Sequence, residues 1–133
     1  MAHVCLRVTD LDRTLKFYRD GIGLKPHFNF TRKGKPIGFY LEVAKGAYVE
    51  VFETNDPIGE GKRSLDHFCI ETDAMESLRE RLIQHGYSPG ESKLGADQSH
   101  QFWIKDPDGV AIEFHQYTPE SAQLTGRDVE VNW

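Results

Sequence analysis

Two stretches of the chain open alike, HVCLRVTD from His3 and HFCIETD from His67. Each sets an imidazole at the head of an alternating apolar run. A glutamate flanked by apolar residues comes later in each case: Glu50 follows His3 by 47 residues, and Glu113 follows His67 by 46. Two imidazoles and two carboxylates form a donor set for a borderline divalent cation, with N and O ligands and no thiolate needed; zinc, nickel, cobalt, iron(II) and manganese all accept it. Four protein ligands leave room for water or substrate on a five- or six-coordinate ion, whereas zinc closed tetrahedrally by all four would be structural. Taken singly, a histidine near a terminus is a solvated side chain and a strand glutamate marks a wet face. Doubled at matched separations, they are expected to form a metal site of His3, Glu50, His67 and Glu113.

The elements that position them repeat as well. At an offset of 63, Asp10 meets Asp73, Leu15 meets Leu78, Gly23 meets Gly86, Pro26 meets Pro89, Tyr40 meets Trp103 and Glu50 meets Glu113. Each copy reads as a short strand, then a helix capped by Asp10 or Asp73, the second as a capping box with Glu76. Leu11, Leu15 and Tyr18 make one helical stripe, and Met75, Leu78 and Leu82 the other. Gly23 and Gly86 suit left-handed stops before Pro26 and Pro89. Three strands follow in each half, over 26–31, 37–43 and 47–53, then 89–94, 100–105 and 110–116. The expected fold is α+β: two βαβββ modules whose curved mixed sheets form a half-open barrel around the metal. The first module spans 1–53, a linker 54–66, the second module 67–117, and a tail or arm 118–133.

Alternation along a strand sorts the faces. Val4, Leu6 and Val8 turn to the helix, leaving His3, Cys5 and Arg7 on the open side; Phe68 and Ile70 turn in, leaving His67, Cys69 and Glu71. Val49 and Val51 oppose Glu50, while Ile112 and Phe114 oppose Glu113 and His115. Cys5 and Cys69 are read as small residues packed beneath the site. His27, His85, His100 and His115 have no paired counterpart.

The 133 residues carry a formal charge of −5, with 38% apolar and 28% charged residues. That is ordinary globular composition without the basic footprint of a nucleic-acid or anionic-membrane binder. No apolar run approaches the ~20 residues of a membrane span, and MAHVCLRV lacks a signal-peptide pattern. A cytoplasmic protein is expected, with no nucleic-acid or membrane partner.

HVCLRVTDLDRTLKFYRDGIGL, YVEVFE, DHFCIETD and FWIKDPDGVAIEFHQ together resemble the vicinal oxygen chelate superfamily, the glyoxalase/bleomycin-resistance/dioxygenase fold, over residues 1–117. In its metal-binding members the ligands come from the first and last strands of both modules, which maps onto the same four residues. All four together are most similar to glyoxalase I, a lyase that isomerises the hemithioacetal of methylglyoxal and glutathione. The resemblance implies one divalent ion per site, Glu113 as ligand and general base, and Glu50 as ligand and second base. It also implies Arg7 and Arg63 as substrate contacts, and a homodimer in which His3 and Glu50 of one subunit share an ion with His67 and Glu113 of its partner. The substrate would be a small molecule with adjacent oxygens, a glutathione adduct among the candidates. Gln101, Trp103, Tyr40 and Phe52 are expected to line the pocket. The chain departs from glyoxalase I after Glu50, where VFETNDPIGEG replaces a Thr-x-Asn-Trp-Gly type segment, so glutathione recognition does not follow. Rival readings are a carbonyl-alpha epimerase, an extradiol ring-cleaving dioxygenase that uses only His3, His67 and Glu113, and a metal-free ligand-binding protein.

Overall fold

The protein is described by a computed structural model over residues 3–56 and 67–129; Arg63 and most of the expected linker lie outside the described residues. The chain divides into two compact units: Met1–Arg63 with Asp106–Gly109, and Ser64–Lys105 with Val110–Trp133. Each carries one four-stranded mixed sheet, with a parallel pair at one edge.

In the first unit the order is β1 (His3–Val8), α1 (Leu11–Leu15), β2 (Lys25–Arg32), β3 (Lys35–Ala44) and β4 (Ala47–Glu53). The sheet runs β1-β4-β3-β2, with β1 parallel to β4 and the other pairs antiparallel. Val8, Leu41, Val49 and Val51 are fully buried on the helix side, as alternation requires. Asp10 caps α1, its Oδ1 accepting from Arg13 N at 2.9 Å. After Leu15 the helix widens into π turns over Lys16–Ile22 and stops at Gly23, whose φ of 95° is left-handed. This widening rotates the buried stripe: Thr14, Phe17, Tyr18 and Ile22 face the core, while Leu11 and Leu15 are only half-buried. The Tyr18 hydroxyl donates to Asp106 Oδ2 at 3.0 Å, which ties the DPDG loop to this helix.

The second unit repeats the order with β5 (His67–Glu71), α2 (Met75–Gln84), β6 (Lys93–Leu94), β7 (His100–Lys105) and β8 (Ala111–Gln116), followed by α3 (Ala122–Thr125). Its sheet runs β5-β8-β7-β6. Two expectations are corrected here. Asp73 does not cap α2: the N-cap is Ala74, and the preceding turn is held by Thr72 Oγ1, which accepts from Ala74 N at 3.1 Å. The strand expected over 89–94 shrinks to Lys93–Leu94, because Gly90 N bonds Trp103 O and Arg79 Nε takes Gly90 O, outside any regular ladder. Among the described residues both sheets are open, each with two edge strands, and neither closes into a barrel.

The segment after β8 packs on its own unit. Ser121 is fully buried, and its Oγ accepts from Thr118 N (2.9 Å) and donates to Gln98 O (3.0 Å). Among the described residues no helix is long and apolar enough to cross a membrane.

Candidate metal centre

The two sheets carry the same cross-strand rows on their open faces. In the first, Cys5, Glu50 and Tyr40 lie side by side, and His3 sits two residues before Cys5. In the second, Cys69, Glu113 and Trp103 form the matching row, and His67 stands two before Cys69. A diagonal across a parallel pair brings such side chains within reach of each other. His3 Nε2 lies 3.7 Å from Glu50 Oε2, and His67 Nε2 lies 3.5 Å from Glu113 Oε2. The register explains how separations of 47 and 46 residues give one geometry. In both modules the glutamate pairs with the residue two after the histidine.

The surroundings differ between modules. Tyr40 Oη is 3.0 Å from His3 Nδ1, so His3 is held from behind. Trp103 instead meets His67 edge-on, ring centroids 4.6 Å apart, and its Nε1 donates to Gln101 Oε1 at 3.2 Å. Arg7 lies with its guanidinium carbon 5.3 Å from the centre of the Phe52 ring. Phe28, Phe30 and Tyr48 pack around Tyr40 and complete an aromatic face on the first sheet. A shallow depression lined by Tyr87, Ser88, Trp103, Ile104, Lys105 and Ala111 adjoins the second sheet, but none of the four expected ligands lines it.

Glu113 is 9% exposed, and a buried carboxylate needs compensating partners. Beyond His67 it finds His115, whose Nε2 stands 3.0 Å from Glu113 Oε1. That approach is too oblique for a hydrogen bond, and Nε2 has no hydrogen-bond partner among the described residues. His115 is 8% exposed, and its Nδ1 lies 3.9 Å from Asp97 Oδ2. Burial tends to raise the Asp97 carboxyl, but hydrogen bonds from Gln123 and Ser99, with His115 nearby, bring it below the usual range.

Both cysteines are exposed as residues, yet their thiols are held protonated. Burial of the sulfur, then the neighbouring Glu113, pushes Cys69 up to about 12. Burial, then a hydrogen bond to Glu50, pushes Cys5 up to about 11. Cys69 Sγ, a Glu113 oxygen and a His115 nitrogen all lie within 4.8 Å of one another.

His115 and Asp97 were not among the expected site residues. His115 shares the face of Glu113 by simple alternation, but its repeat counterpart is Phe52, so matching the two halves passes over it. Asp97 sits in a loop, where periodicity gives no face. The imidazole–carboxylate donors fit a borderline divalent cation, and the buried nitrogen of His115, beside Glu113 but without a hydrogen bond among the described residues, adds to that fit.

Residues 1–114 match the sequence profile of the Glyoxalase/Bleomycin resistance protein/Dioxygenase superfamily. Lactoylglutathione lyase of Arabidopsis thaliana is 31% identical over 88% of this chain, but the match spans only 44% of that protein. A protein of Vibrio parahaemolyticus named probable lactoylglutathione lyase is 27% identical over 93% of this chain and 95% of its own. The glyoxylase/bleomycin resistance protein/dioxygenase domain of Frankia sp. EAN1pec superposes with a TM-score of 0.75 at 20% identity, covering 92% of this chain and 94% of that one. With a profile match over most of its length and two mixed sheets built in the same strand order, the chain belongs to the glyoxalase/bleomycin resistance protein/dioxygenase superfamily.

Proposed function

We propose that the chain is a divalent-metal-dependent lyase/isomerase of the glyoxalase I type, moving a proton next to a carbonyl in a small molecule with adjacent oxygens. One observation carries the reading: an imidazole–carboxylate pair built twice, in the same register, on the open faces of both sheets. His3, Glu50, His67 and Glu113 would hold one cation, the two pairs coming from two protomers of a homodimer. When bound, such a cation supplies Lewis acidity that stabilises charge on the substrate oxygens.

The residues do the remaining work. Glu113 takes the proton from the carbon next to the carbonyl and returns it to the neighbouring carbon. It is 9% exposed, so bulk water is kept away from the proton it moves. Glu50, less buried, is the second base. Arg7, on the open face of β1, grips an anionic substrate end. Gln101 and Trp103, joined by their own hydrogen bond, line the second half of the pocket. The names of the relatives support a glutathione hemithioacetal as the first substrate to try.

The test is Glu113→Gln, assayed for isomerisation of the methylglyoxal–glutathione hemithioacetal and for zinc affinity. Turnover should fall by about 10²–10⁴-fold and zinc binding should weaken, with an unchanged circular dichroism spectrum. A variant that turns over as fast as the parent refutes the assignment. Mixing His3→Ala with Glu113→Gln chains should restore part of the activity. No recovery after demonstrated subunit exchange would remove the shared site.

A further inference from the structure

We infer that Cys69, Glu113 and His115 form a second cation site in the second module, taking a thiophilic divalent ion such as zinc or cobalt(II) through sulfur, oxygen and nitrogen. It rests on the proposed function only in sharing Glu113, whose two oxygens face different ways. Oε2 lies toward His67 at 3.5 Å, and Oε1 toward His115 at 3.0 Å.

Three observations converge. The donor atoms already lie within 4.8 Å of one another, close enough to share one ion. His115 is 8% exposed, yet its Nε2 lacks a hydrogen-bond partner among the described residues. A buried polar atom left so is destabilising, and a bound cation would remove that cost. The far side of the ring is provided for too: Asp97 Oδ2 stands 3.9 Å from Nδ1. A carboxylate bonded to the other nitrogen is the usual outer partner of a ligating histidine; Asp97 stands on that side, at charge-contact distance and not in a hydrogen bond. Asp97 is itself fixed by Gln123 Nε2 at 2.6 Å and Ser99 N at 3.2 Å.

The first module supplies an internal contrast. Cys5 and Glu50 occupy the matching row, but Phe52 stands where His115 does and Gly34 where Asp97 does. The imidazole and the carboxylate beside it thus occur together in one copy of the repeat and are both missing from the other. Binding would release the Cys69 thiol proton to solvent, since a coordinating sulfur is a thiolate.

Cobalt(II) titration of the metal-stripped full chain tests this, because a thiolate ligand adds a sulfur-to-cobalt charge-transfer band that imidazole and carboxylate do not. The band should appear in the parent protein and persist in His3→Ala and Glu50→Gln. It should vanish in Cys69→Ser. In His115→Phe, a residue that the first module already carries at this place, the cobalt concentration needed to develop it should rise at least about tenfold, as for loss of a metal-site partner. Cobalt bound by the parent without the band overturns the second site and leaves the proposed function standing. A band that survives Cys69→Ser also overturns it. A band unaffected by His3→Ala and Glu50→Gln, beside undiminished total cobalt in those variants, keeps the second site and removes the four-residue one.

Discussion

Tyr40 Oη lies 3.0 Å from His3 Nδ1, while Nε2 of the same ring faces Glu50 at 3.7 Å. The phenol thus fixes which edge of the imidazole is presented to the carboxylate. Burial and then the charge of Glu50 push its own ionisation upward, so the hydroxyl is intact at neutral pH. Outer partners of this kind are worth about 10–100-fold in metal affinity. Tyr40→Phe should therefore weaken zinc binding by that order in a competition titration. Trp103→Phe, which removes no hydrogen bond to His67, should change it less. Equal losses in the two variants would mean that ring packing, not the phenol, orients these histidines.

Tyr18 and Asp106 form a second such pair, away from the candidate ligands. Tyr18 is fully buried and its hydroxyl donates to Asp106 Oδ2 at 3.0 Å; Asp106 is 4% exposed and its Oδ1 accepts from Asp108 N at 3.0 Å. Removing the donor while the carboxylate stays buried costs about 1–3 kcal/mol. Tyr18→Phe should lower the urea midpoint accordingly at pH 7. Burial, then the Asp106 charge, holds the Tyr18 hydroxyl well above 10. The folded state therefore keeps a proton that the unfolded chain gives up. That contribution is whole below pH 10 and is lost as pH rises beyond it. The parent should show this alkaline loss and Tyr18→Phe should show less of it. Parallel stability curves above pH 10 would contradict the coupling.

How much of this was legible in the sequence depends on what each feature needed. Alternation placed His3, Cys5 and Arg7 opposite Leu6 and Val8 correctly, because a two-residue period leaves only two faces. The duplicated spacing pointed to Glu50 and Glu113 because register carries over when strand order does. The helix stripe failed because π turns over Lys16–Ile22 break the 3.6-residue period after Leu15, so half-buried Leu11 and Leu15 fall out of line with buried Phe17, Tyr18 and Ile22. Asp73 failed as a cap because Gln116 Oε1 takes Met75 N, one of the amides that the Asp73 side chain would have accepted from. His115 was on the right face but lacked a counterpart, and Asp97 reaches it only through a loop whose partners, Ser99 and Gln123, are distant in sequence from one another.

Gly38 shows a steric demand on the first sheet. A Cβ there would strike the Val51 carbonyl oxygen and the Phe52 ring, so the bare backbone is what lets Phe52 lie across β3. Overpacking of this kind typically costs about 1–3 kcal/mol. Gly38→Ala should lose that much in urea denaturation, and the Arg7–Phe52 stacking should loosen. Gly34→Ala has open space around its Cβ and only its left-handed φ of 76° to oppose it, so it should lose less. Finding Gly38→Ala as stable as the parent would mean that β3 and β4 yield easily at this point.

Ser121 links the segment after β8 to the loop that carries Asp97. Its buried Oγ accepts from Thr118 N at 2.9 Å and from Ser99 Oγ at 3.0 Å, and it donates to Gln98 O at 3.0 Å. Gln98 holds a positive φ of 64°, rare for a residue with a side chain, so the loop depends on these bonds to keep its shape. Ser121→Ala would leave the part-buried Thr118 N–H without its acceptor, at a cost of about 1 kcal/mol. The effect should also travel: with Ser99 less well held, Asp97 loses part of its support in the loop. Amide hydrogen exchange should therefore speed up at Thr118 and in the 95–99 loop, while β1 and β4 of the other unit keep their protection. Faster exchange throughout both sheets would show instead that Ser121 supports the whole chain, not one loop.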